Sequence, residues 1–116
     1  MSRSADDLIS DILDAIERCT RYRERFEDND PEVVEMAFGA AIRYIGVIGE
    51  AANHLPPSIT DQHPEIPWAA IVEMRNIVVH EYFGVDTSIV TSTLDRDLKP
   101  LAAALGQHLR QASEPN

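Results

Sequence analysis

The sequence predicts an all-α protein, a small antiparallel bundle of four to five helices. Three observations predict it. Apolar residues recur at three- and four-residue spacing in four separate segments. No segment shows the strict apolar–polar alternation of a half-buried strand. Capping residues and prolines stand where those four segments should begin and end.

The first helix begins at Ser4, a good N-cap residue, with Asp6 and Asp7 in the first turn to meet the helix dipole. Leu8, Ile9, Ile12, Leu13 and Ile16 mark one buried stripe, and the helix runs to about Phe26. Asp30-Pro31 restarts the chain, a carboxylate cap followed by proline at the first helical position. From there Val33, Val34, Ala37, Phe38, Ala41, Ile42, Ile45, Ile48 and Ala52 hold the helical period to about His54. Pro56-Pro57 stops it, and the proline-rich stretch to Pro67 reads as a loop. Pro67-Trp68 opens a shorter third helix through Ile71, Val72 and Met74. Asp86 or Thr87 caps a fourth, with Ile89, Val90, Leu94, Leu98, Leu101 and Leu105 facing inward. Pro100 should kink that helix or split it in two, which gives the fifth.

With 116 residues, 44% of them hydrophobic, the chain has matter for one core. Residues 1–116 therefore read as a single helical domain with a disordered, frayed tail at 112–116. Twenty acids against ten bases leave a formal charge of −10. That argues against nonspecific coating of nucleic acid and against anionic membranes, and no DNA partner is expected. Lys99 is the single lysine, so the positive charge is nearly all guanidinium, which suits shaped contacts with phosphate or carboxylate. The N-terminus lacks a secretory pattern. The apolar stretch from Ala37 to Ile48 is broken by Arg43 and falls short of the ~20 residues that span a bilayer. The expected compartment is the cytoplasm.

Cys19 stands alone and reads as a small buried hydrophobe. His54, His63 and His108 are scattered, without metal-ligand spacing, so neither a metal nor a cofactor is expected. Trp68 reads as a core anchor. Gly46-Val-Ile-Gly49 sits inside a helical pattern and reads as a packing feature.

The chemistry-bearing stretch is Arg75-Asn-Ile-Val-Val-His80-Glu-Tyr82, polar groups around an apolar run that would anchor them. At ~100° per residue, Arg75 and His80 would stand about 140° apart on a continuous helix. For them to converge, the helix must end near Val79, or one group must come from another subunit. An arginine and a histidine suffice for RNA cleavage by the neighbouring 2′-hydroxyl. The imidazole moves protons near neutral pH, and the guanidinium fork holds the phosphate and stabilises its developing charge. The plainer alternative is a surface arginine paired with Glu73 or Glu81 and a histidine at a helix C-terminus.

That stretch resembles the Arg-four-residues-His-any-Tyr motif of HepT toxins in the HEPN superfamily. Tyr44-Ile-Gly-Val-Ile-Gly-Glu-Ala-Ala52 resembles a segment of the family's second long helix, and Ile66-Pro-Trp68 with Ile71 and Met74 resembles its approach to the motif. The likeness runs from about Asp6 to Leu105. It implies an all-α homodimer whose two motifs face each other across a cleft and cut RNA without a metal. It also implies that Arg75 binds the phosphate, His80 transfers the proton and Asn76 positions them. The family's antitoxin partner, MntA, is a nucleotidyltransferase that silences the toxin by moving AMP from ATP onto the motif tyrosine, here Tyr82. Bulky anionic groups two residues from His80 would occupy the space that the RNA phosphate needs.

Arg43, Gly46, Glu50 and Asn53 share a face of the second helix. The face is either ordinary solvated surface or the lining of the cleft, with Glu50 orienting a buried Arg75. Arg18, Arg21, Arg23 and Arg25 form a basic cluster that reads as a solvated helical face, with Glu17 available to Arg21. Two functions follow: an endoribonuclease toxin, or a noncatalytic helical dimer that only binds a nucleotidyltransferase partner.

Overall fold

The structure, a computed structural model, describes residues 4–76 and 87–113. Helix α1 spans Ala5–Glu24, and the Ser4 side chain accepts the Asp7 backbone N–H at 3.1 Å as its cap. A 3-10 turn over Arg25–Glu27 finishes it. Helix α2 spans Pro31–Asn53, and the Asp30 carboxylate accepts the Glu32 N–H at 3.0 Å. Both starts lie where capping chemistry places them. Then come α3 (Pro57–Thr60), α4 (Trp68–Glu73), α5 (Thr87–Ser92) and α6 (Leu98–Ser113). Among the described residues there is no strand, and no helix is long and apolar enough to cross a membrane. The all-α reading stands.

Helix α1 packs most extensively against α2, α6 covers another side of α1, and α4 crosses α2. Ile9, Ile12 and Cys19 of α1 meet Ile45 and Ile48 of α2, with Ile71, Val90, Leu101 and Leu105 closing the core. Burial of these side chains is the main force holding the bundle. Burial also pushes the Cys19 thiol up to about 12, so it is an uncharged packing group that lies 3.8 Å from the Ala41 carbonyl.

Three local features differ from expectation. The stretch between Pro56 and Pro67 is not all loop: Pro57 starts one helical turn, α3, which buries Ile59. Proline at a first helical position forgoes no bond, so a signal that ends α2 also begins α3. Pro100 does not itself break the last helix. The ladder loosens just before it, in a π-helical turn over Thr93–Asp97 that separates α5 from α6. The missing Pro100 N–H and its crowded partner carbonyl at Arg96 thus fall where the regular i→i−4 pattern is already suspended. Helix α6 then extends through Ser113, into the stretch read as frayed.

Trp68 anchors the α3–α4 connection rather than filling the core outright. Its half-buried indole Nε1–H donates to the carbonyls of His63 (3.0 Å) and Thr60 (3.1 Å), tying α4 to the preceding turn. That tie fixes the approach of the chain to Arg75.

Candidate functional site

Helix α4 ends at Glu73, Met74 is a turn, and Arg75 and Asn76 are again helical. An end near Val79, one of the two conditions under which Arg75 and His80 converge, lies outside the described residues. His80 and Tyr82, with the apolar run that precedes His80, also lie outside the described residues. The described part of the motif is therefore Arg75 and Asn76, with the α2 face behind them.

What seats Arg75 is Gly49 of α2, which is buried. A Cβ built there would stand 2.8 Å from the Arg75 backbone nitrogen and 3.1 Å from the carbonyl oxygens of Ile71 and Val72. Only a hydrogen side chain lets the end of α4 approach so closely. The Gly46–Gly49 fragment was read as a packing feature, and at Gly49 it is one.

One residue further on, the Glu50 carboxylate accepts from Arg75 Nη1 at 3.3 Å through Oε2, and its Oε1 lies 3.0 Å from His54 Nε2. Glu50 thus bridges a guanidinium and an imidazole, the latter an ion pair when His54 is protonated. Arg75 is not buried, contrary to one of the two readings of this face: its side chain is 40% exposed. The carboxylate therefore orients a guanidinium that still faces solvent and, among the described residues, spends one donor on Glu50. Asn76 Nδ2 donates to Glu73 Oε2 at 2.7 Å, so Glu73 is engaged by Asn76 rather than by Arg75.

The sequence reading did not connect His54 with this site. Its signal was available, because Glu50 and His54 stand four apart on one helix. His54 is the first cause, and Arg75 the second favourable one, that holds the Glu50 carboxyl below its ordinary range. The pairings are thus present above the ordinary carboxylate pKa and lost as pH falls through the lowered one. A carboxyl-detected NMR titration should find Glu50 titrating low, with a larger upward shift in His54→Gln than in Arg75→Ala. Equal, unshifted curves in all three proteins would contradict the bridge.

Three of the four arginines of the basic cluster are paired locally, and the expected Glu17–Arg21 pair is not among the ion pairs observed. Arg18 pairs with Asp14 at 3.1 Å and lies over the Tyr44 ring, and Arg25 pairs with Asp28 at 3.7 Å. Arg23 reaches Asp95 in the π-helical turn through two bonds of 3.1 and 3.3 Å, and Glu27 at 3.3 Å. Arg23 therefore staples α1 to the turn before α6, a structural use that its sequence position did not reveal. His63 and His108 are not scattered in space: their rings lie edge to face with centroids 6.1 Å apart. Among the described residues no group of three His, Cys, Asp or Glu is placed to hold a metal.

The family model described as ribonuclease HepT-like matches residues 12–107. A protein of Thermococcus cleftensis named "Probable ribonuclease HepT" is 35% identical over 101 residues, covering 87% of this chain and 92% of that one. A protein of Caldanaerobacter subterraneus subsp. tengcongensis, provisionally named an RNase, is 35% identical over 88 residues, covering 74% of this chain and 75% of its own length. A longer protein of Methanocaldococcus jannaschii, named a gamma-glutamylcyclotransferase with a provisional RNase function, is 32% identical over 93 residues, covering 80% of this chain but 42% of its own length. No solved structure gives a significant match. A model spanning most of the sequence and a relative matched nearly end to end agree with the helical architecture, and the chain belongs to the HepT-like ribonuclease family.

Proposed function

We propose that this protein is the toxin of a toxin–antitoxin pair, a homodimeric endoribonuclease in which Arg75 and His80 break an RNA phosphodiester. The observation that carries this reading is the Arg75 guanidinium: half-exposed, held from behind by Glu50, and placed at the head of the motif in a chain of a ribonuclease family. Among the described residues Glu50 accepts from one of its five N–H donors, and a phosphate can be met by the others. His80 takes the proton of the 2′-hydroxyl or returns one to the departing 5′-oxygen, and Arg75 stabilises the charge that builds on the phosphorus-bound oxygens. Asn76 and Glu50 position these groups.

The antitoxin is a nucleotidyltransferase. The Tyr82 hydroxyl attacks the α-phosphorus of ATP, AMP is joined to the tyrosine oxygen, and pyrophosphate leaves. An acidic chain suits a partner with a basic face, and local pairing of Arg18, Arg23 and Arg25 leaves the motif as the better-placed cation for RNA.

The test has two arms. A quenched fluorescent RNA oligonucleotide should be cut by the wild-type protein and left intact by His80→Ala, with both proteins folded. Incubation with the adjacent-gene nucleotidyltransferase and ATP should add AMP-sized mass to the wild type and none to Tyr82→Phe. An uncut RNA pool overturns the nuclease reading, and mass on Tyr82→Phe moves the acceptor elsewhere.

A further inference from the structure

The proposed chemistry gives no role to His54, although one carboxylate joins it to Arg75. Its Nε2 lies 3.0 Å from Glu50 Oε1, while Glu50 Oε2 accepts from Arg75 Nη1 at 3.3 Å. The arrangement is built into the backbone. Glu50 and His54 stand four apart at the end of α2, so their side chains meet across one turn. Gly49, beside Glu50, lets the end of α4 bring Arg75 to the same carboxylate. His54 also closes α2, its backbone N–H donating to the Ala51 and Ala52 carbonyls, and no basic residue stands in the last turn of that helix. A positive charge at this end complements the helix dipole.

Glu50 faces His54 from its own helix, Asp11 of α1 lies across the groove that both line, and Arg75 stands beyond Glu50 after α4. With the imidazole neutral, Glu50 cancels Arg75, and the guanidinium has a permanent anionic competitor for any phosphate. With the imidazole protonated, that carboxylate is shared between two cations, and one positive charge is returned to the place where a phosphate would arrive. The difference matters in this chain. Its formal charge is −10, and Arg18, Arg23 and Arg25 are paired with carboxylates of their own.

We infer that His54 is a positioning residue that acts through Glu50: its imidazolium draws on the carboxylate and leaves Arg75 to a phosphate, and its neutral form returns the carboxylate to compete. This deepens the ribonuclease reading and rests on it for the phosphate at Arg75. An imidazole changes charge near neutral pH, so RNA should be held more tightly on the acid side of that range and more weakly on the alkaline side. The range ends below at the titration of Glu50 itself, since a protonated Glu50 competes for nothing. The His54 and Glu50 side chains are 61% and 57% exposed, so solvent limits the change to about three- to fivefold at low salt. The substrate phosphate is charged before it reacts, so the effect falls on KM more than on kcat.

Sulfate tests this apart from the enzymology, because its charge does not change over the imidazole range. Its binding is followed through the Arg75 side-chain NMR signals at constant ionic strength. Wild-type affinity should fall about three- to fivefold as pH rises through that range. His54→Gln, which keeps a donor for Glu50 but never a charge, should bind weakly at every pH. His54→Lys, charged throughout, should bind tightly at every pH, a rescue that a merely structural contact would not give. With the quenched fluorescent RNA, KM should follow the same three patterns, while kcat differs little between the wild type and His54→Gln at one pH. A wild-type pH slope retained in His54→Gln, or His54→Lys binding as weakly as His54→Gln, overturns the inference. Arg75 signals that sulfate leaves unmoved at every pH overturn it as well. The expected sulfate response beside an RNA that is never cut leaves His54 its role on Arg75 and removes only the nuclease reading.

Discussion

If Arg75 acts as proposed, Arg75→Ala should lower RNA cleavage by about 100- to 1,000-fold, the loss expected when one preorganised donor is taken from a developing oxyanion. The expected fall is in kcat as well as kcat/KM, because the guanidinium meets more charge in the transition state than in the bound substrate. Removing Arg75 also leaves Glu50 without its guanidinium partner, a carboxylate turned toward the place where a phosphate must sit. Glu50 is largely exposed, so water absorbs that charge and the fold should survive. Equal melting temperatures for Arg75→Ala and the wild type would confirm that the effect is chemical. Arg75→Lys should recover little, since an ammonium cannot span Glu50 and a phosphate with one planar fork. Steady-state rates on a fluorescent RNA decide the matter: a loss smaller than threefold for Arg75→Ala would remove the residue from the chemistry.

The contrast between legible and illegible features has a common physical cause. Helix starts at Ser4 and Asp30 were readable because capping is local: the acceptor and the N–H that it satisfies stand within three residues. The stripe of Ile9, Ile12, Ile45 and Ile48 was readable because burial follows the helical period. The Arg23–Asp95 staple joins residues 72 apart, and the His63–His108 pair likewise depends on how α6 returns along α1. Nothing local encodes such contacts. The π-helical turn was half readable. Pro100 announced a disturbance, but the place and form of the widened turn, which carries the Arg23–Asp95 contact, were not legible.

Arg75 falls between these cases. Its motif was visible as a string, and family resemblance supplied roles for Arg75, Asn76, His80 and Tyr82. A contact from Glu50 to Arg75 followed from charge reasoning, but the exposure of the guanidinium did not. Exposure depends on how α4 meets α2, and a single hydrogen at Gly49 sets that approach. His54 escaped notice for a simpler reason. As one of several isolated histidines it had no metal pattern, and its pairing with Glu50 is an ordinary helical i,i+4 contact whose importance comes from what Glu50 touches next.

Gly49→Ala joins fold and site in one substitution, and its expected effect is large for one carbon atom. The added Cβ would press on the Arg75 nitrogen at 2.8 Å and on two carbonyl oxygens at 3.1 Å, all of them backbone, so no side chain can swing aside. Helix α4 must move off α2, at a cost of about 1–3 kcal/mol for overpacking. Helix propensity runs the other way, alanine being favoured over glycine by about 1 kcal/mol in a helix interior. The net loss is therefore read best against Gly39→Ala, where the same change meets open space and should raise the melting temperature. Activity should suffer more than stability. Moving the Arg75 backbone while Glu50 stays fixed on α2 would draw the guanidinium away from the place proposed for the phosphate, and displacement by about 1 Å is enough to cost roughly 100-fold. Gly49→Ala should accordingly melt lower than the wild type and cut RNA nearly as poorly as Arg75→Ala. If it instead melted higher, as Gly39→Ala should, with cleavage intact, the close crossing of α2 and α4 would not be what places Arg75.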